Sequence, residues 1–100
     1  MKKHVEEAGA LLSKAEHDLR AAEIGLEHGA PLDTVCFHLQ QTAEKLLKTA
    51  LAWKGISYPL THDLLALAEQ ACGPFPALAE FGMALADLTP YAVRARYEPV

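Results

Sequence analysis

Seven apolar residues, Val5, Ala8, Leu12, Ala15, Leu19, Ala22 and Leu26, recur at alternating intervals of three and four. Only an α-helix brings such positions onto one side, so the chain must open with a helix of about seven turns. Glu16 and Arg20 lie off the stripe and can pair on its outer side for a few tenths of a kcal/mol. Gly29 and Pro31 punctuate the end: glycine supplies a left-handed cap, and proline fits the first turn of a following helix.

A second helix is predicted from about Pro31 to Lys54, with Val35, Leu39, Ala43, Leu46, Ala50 and Trp53 as its main stripe. Cys36, Leu47 and Leu51 widen that stripe, which makes this helix central and contacted on more than one side. Lys54 and Gly55 form a stop signal. In "GISYPL", Pro59 forbids ordinary helix and holds Tyr58 extended. A short third helix, Thr61 to Ala71, takes Thr61 as its N-cap and Asp63 as an acid near its positive end. Leu78, Phe81, Leu85 and Leu88 mark a fourth helix, interrupted at Pro90. Thr89 and Pro90 then read as N-cap and first residue of a fifth, short helix.

Short connections between amphipathic helices imply antiparallel neighbours. The expected fold is all-α: one domain over residues 1–100, an antiparallel up-and-down bundle of four long or medium helices plus a short C-terminal one. Composition agrees, with 51% apolar residues but only 7% aromatic, a mix that suits helices packed on helices.

Several functional classes recede. A net charge of −4 argues against a surface that grips nucleic acid everywhere, and no DNA partner is expected. "MKKHVEEAGA" has a basic start without an apolar core segment, and no apolar run approaches the roughly 20 residues of a membrane span, so a soluble cytoplasmic protein with no membrane partner is expected. Cys36 and Cys72 fit no metal or redox spacing and read as two buried thiols. His17 and His28 share a helical face but stand about 16 Å apart along the axis, too far for one ion. Neither a metal nor a cofactor is expected, and the sequence has no Gly-rich phosphate loop, zinc pattern or nucleophile elbow.

Three polar groupings are candidates. His38, Gln41, Lys45 and Lys48 repeat at three, four and three, forming a stripe on the second helix. It reads either as a solvated helix face or as one wall of a groove for a polar ligand. His62 and Asp63, in "THDL", read either as turn and dipole chemistry or as a proton-transfer pair. Arg94 and Arg96 point about 200° apart on a helix and cannot both grip one phosphate. Arg94 shares a face with Tyr91 and Tyr97, where it can stack on a base or hold a phosphate or carboxylate; the alternative is a salt bridge to Glu98 or Asp87.

Four stretches in order carry a resemblance: "AEHDLRAAE" (Ala15 to Glu23), "CFHLQQTAEKLLKTALAWKG" (Cys36 to Gly55), "THDLLAL" (Thr61 to Leu67) and "LTPYAVRARYEP" (Leu88 to Pro99). With them the chain resembles the HEPN domain family, in its small stand-alone prokaryotic form. The resemblance implies a helical bundle, usually a homodimer, paired with a minimal nucleotidyltransferase in toxin–antitoxin modules. It also implies, for many members, a metal-independent ribonuclease in which an arginine and a histidine four to six residues later meet across the dimer interface. No histidine follows Arg94 or Arg96 in this sequence. The expectation is therefore a module that binds a nucleotide or RNA, or a protein partner, with ligand contacts from Tyr91, Arg94, Tyr97, His38, Gln41, Lys45 and Asp63. One alternative is a ribonuclease with a variant site, Arg94 or Arg96 with His62. Another is a purely structural dimer.

Overall fold

The computed structural model describes residues 2–92, apart from the side chains of Lys2 and Met83. In chain order come α1 (Lys2–Glu27), α2 (Leu32–Trp53), α3 (Leu64–Cys72), a 3-10 helix (Pro76–Phe81) and α4 (Gly82–Leu88). The described residues contain no strand, as an all-α reading requires.

The α1–α2 connection follows the punctuation in the sequence. Gly29 adopts φ +75°, and Gly55 at the far end of α2 adopts φ +69°. Both lie in the left-handed region that only glycine enters without strain. Pro31 is the N-cap of α2 and not its first residue; at φ −53° and ψ 137° its carbonyl accepts from Thr34 and Val35. The two long helices then run back along each other, with Asp18 opposite Lys45 and Glu7 near Tyr58.

Both stripes divide in a way their spacing does not reveal. On α1, Ala8, Ala15 and Ala22 are buried, while Val5, Leu12, Leu19 and Leu26 stay exposed. On α2 the core side is Leu47 and Leu51, the residues expected only to widen the stripe, whereas Leu46 and Trp53 remain open. The shorter elements cause this. Leu64, Leu67, Ala68 and Ala71 of α3 and Leu85 of α4 close onto Leu47 and Leu51, so the core lies against the C-terminal half of α2. Burying each of these leucines contributes roughly 1.5–3 kcal/mol.

Further expectations need correction. The N-cap of α3 is Asp63, whose Oδ1 accepts from Leu65 N at 3.0 Å and Ala66 N at 3.4 Å. Thr61 shapes the turn before it, its hydroxyl accepting from Asp63 N at 3.0 Å. The fourth helix is split. Pro74 and Pro76 supply no N–H, so the segment opens with an i→i−3 bond from Leu78 N to Phe75 O, and α-geometry resumes only at Gly82. Phe81 consequently points away from the core and is 55% exposed. The described elements are thus two long helices and three short helical pieces. Thr89 ends α4 and reaches α3: its hydroxyl accepts from Leu64 N at 3.2 Å and donates to Leu85 O at 3.1 Å. Tyr91 and Ala92 are helical, and the rest of the predicted fifth helix lies outside the described residues. Cys36 and Cys72 are free and half-buried, less enclosed than expected.

Candidate functional site

On the edge of the hairpin away from Leu46 and Trp53, two carboxylates gather the polar side chains. Asp18, from "AEHDL" on α1, accepts from His38 Nδ1 at 3.0 Å and from Lys45 Nζ. Glu44, on α2, accepts from His62 Nδ1 at 2.8 Å, from Lys48 Nζ at 2.9 Å and from Gln40 Nε2 at 3.0 Å. Gln40 also donates to the backbone carbonyl of His62 at 3.2 Å, and its own oxygen accepts from Gln41 Nε2 at 2.6 Å. One network therefore ties α1 to α2, and the other ties α2 to the loop that opens α3.

Burial makes the second network demanding. Gln40 is 0% exposed and Glu44 4%. An unpaired group at such a depth costs about 1–3 kcal/mol, more if charged. Both Glu44 oxygens are engaged, and among the described residues no buried side-chain N or O lacks a partner. Burial alone would raise the Glu44 carboxyl, but hydrogen bonds from Lys48, Gln40 and His62 outweigh it and hold it below its ordinary value. Asp18 behaves alike: burial opposes ionisation, and Lys45 and His38 overcome it.

An ionised carboxylate only accepts, so each histidine carries a proton on Nδ1. Among the described residues, none bonds Nε2 of His62 or of His38. The cations are all engaged: Lys45 on Asp18, and Lys48 on Glu44 with its ammonium also 5.9 Å above the Tyr58 ring. Two carboxylates face two ammonium groups, so these formal charges balance.

Of the residues expected from sequence, His38 and Lys45 come together on Asp18, and Gln41 and His62 are joined through Gln40 and Glu44. The stripe is not a solvated face, because Asp18 of α1 lies against it. Asp63 is committed to the backbone of α3. Tyr91 is half-buried at the end of the described chain, and Arg94, Arg96 and Tyr97 lie outside it. Asp18, Gln40 and Glu44 were not expected. A signal existed: Gln40, Glu44 and Lys48 are spaced by four, which stacks them along one helix edge beside Leu47 and Leu51. Asp18 likewise stands three residues after Ala15 and four before Ala22, beside the seam. No three His, Cys, Asp or Glu side chains gather at metal-binding distance among the described residues. None of the described helices is long and apolar enough to cross a membrane.

A long helical hairpin capped by short helices, with a Gln–Glu–His network joining α2 to the loop before α3, defines a small α-helical module. The HEPN domain family model matches residues 8–100, and the chain belongs to that family, whose domains are generally nucleotide- or RNA-related. No curated protein and no solved structure matches the chain.

Proposed function

We propose that this chain is a homodimeric HEPN module that works by binding: the HEPN half of a two-gene toxin–antitoxin-like system with a minimal nucleotidyltransferase, taking a nucleotide or RNA as ligand. The observation that carries this reading is the internal charge balance of the polar networks. Every described cation there is held by a carboxylate of the same chain. Neither Lys45 nor Lys48 is left over to neutralise the extra charge of a phosphorane, whereas Gln41 and the Nε2 atoms of His38 and His62 can hydrogen-bond a ligand that docks beside them. In this reading Tyr91, Arg94 and Tyr97 supply the stacking and phosphate contacts. The bundle is completed when a second copy packs on the first.

Titration with ATP and with short RNA, followed by thermal unfolding, tests it. A ligand in large excess over its dissociation constant raises the melting temperature. Unchanged melting at millimolar nucleotide and RNA, together with no association with a co-expressed nucleotidyltransferase, would refute it. One observation favours a second reading, a ribonuclease with a variant site: a histidine oriented by a buried carboxylate, with its other nitrogen bonded to no described residue, is the arrangement of a proton-transfer group. RNA cleavage lost in His62→Ala and in Arg94→Ala would select that reading.

A further inference from the structure

Val5, Leu12, Leu19 and Leu26 stand at intervals of seven along α1. Leu32, Leu39, Leu46 and Trp53 stand at intervals of seven along α2. The helices are antiparallel, and the groove between them, about 360 Å³, brings Val5 and Leu12 together with Leu46 and Trp53. The two rows therefore run side by side down one edge of the hairpin. The alanines beside them, at 1–3% exposure, form the inner seam, while Leu12 remains 41% and Trp53 58% exposed. Along α1 this inverts ordinary packing: the small side chains are inside and the large ones outside.

A repeat of seven held over three heptads keeps a straight apolar seam facing a partner helix. A face made of two such seams, with no charge at any of its eight row positions, matches a copy of itself, because the repeat that spaces one side also spaces the other. Its extent fits too. The rows span roughly 32 Å at 1.5 Å per residue, and two helices about 10 Å across give a footprint of about 600 Å², close to the roughly 800 Å² that each partner contributes to a standard stable interface.

We infer that this chain dimerises through the outward heptad rows of α1 and α2, two hairpins forming a four-helix bundle across a two-fold axis. The inference rests on the reading of the chain as a homodimeric module and names the face and the occupant. It places the polar networks on the outer edges of the dimer, and Trp53 and the Val5–Leu12 groove inside it. The face takes a second copy, not a flexible peptide, because three heptads on two rigid helices offer a long two-seamed surface that one extended segment cannot fill.

Sedimentation at tens of micromolar tests this with three proteins: wild type, Leu12→Glu/Leu19→Glu, and Leu60→Glu as a control on the loop, where Leu60 is 99% exposed. Circular dichroism checks that each remains helical, and the single variant Leu46→Glu repeats the test on α2 if the double variant loses helix. Wild type and the Leu60 variant should sediment as dimers. The row variants should be helical monomers, with association weakened at least ~30-fold, the effect of losing a central interface residue. A dimeric wild type whose row variants also remain dimeric overturns the assigned face and leaves the module reading standing. A monomeric wild type overturns both the face and the homodimer.

Discussion

One edge of the α1–α2 hairpin holds Asp18, His38 and Lys45; the other holds Leu12, Leu46 and Trp53. The same two helices and the same seam make both, yet one edge is finished and the other open. Charged groups near a seam must find partners inside the chain, since an unpaired buried charge is too costly to await a second molecule. Asp18 does so with two hydrogen-bond donors and Glu44 with three. Large apolar groups carry no such demand. They gain from any cover, so they can remain at the surface until association supplies it. The contrast teaches that in this hairpin the polar edge specifies shape and the apolar edge is left for assembly.

The largest test removes the centre of the polar edge. Glu44→Ala leaves Lys48, Gln40 and the His62 imidazole without their acceptor, and should lower stability by about 3 kcal/mol or more in urea unfolding. Leu19→Ala, on the open edge, should change the stability of the dissociated protomer by no more than about 0.5 kcal/mol, measured at high dilution. Equal losses would abolish the distinction between the edges.

Asp18→Ala should cost about 2 kcal/mol, the range for hydrogen bonds to charged groups, since Lys45 and His38 lose their acceptor. The same carboxylates set an acid response. Their folded values are depressed, burial being outweighed by Lys45 and His38 for Asp18, and by Lys48, Gln40 and His62 for Glu44. The folded state therefore binds fewer protons than the unfolded one there. Their contribution is complete above the ordinary carboxylate range and is lost as pH falls through the depressed folded values. Urea midpoints of wild type should drop on acidification below that range, and those of Asp18→Ala should drop less.

The smallest effect is spectroscopic. Tyr58 is pushed up to about 12, by burial first and then by the Glu7 carboxylate that accepts its hydroxyl at 2.8 Å. Ultraviolet titration should show one tyrosine ionising late, and Glu7→Gln should bring that step down. A tyrosine that ionises with the others in wild type would place the Tyr58–Glu7 contact in doubt.

Much of the fold was legible because its signals are local. Periodicity marked α1 and α2, Gly29 took the left-handed conformation expected of it, and Gly55, expected as part of a helix stop, did the same. What periodicity cannot express is which part of a wide stripe finds cover. Leu46 and Leu47 are adjacent in sequence, and only the docking of α3 and α4 decides that Leu47 is core. The split fourth helix follows from Pro74 and Pro76, whose missing donors act against a spacing that otherwise reads as continuous helix. For the site, His38, Lys45, Gln41 and His62 were visible as polar residues in a pattern. Their partners were not, because Asp18 and Glu44 are acids among apolar neighbours and look like ordinary surface residues until another element is packed over them.

Trp53 is the one tryptophan of the chain and lies on the open edge, 58% exposed in the protomer. Its fluorescence followed from tens of micromolar down to nanomolar protein therefore reads the central claim directly. Covered in a dimer at high concentration, it should emit to the blue and shift to the red on dilution as the apolar edge meets water. A red, concentration-independent emission would contradict the account.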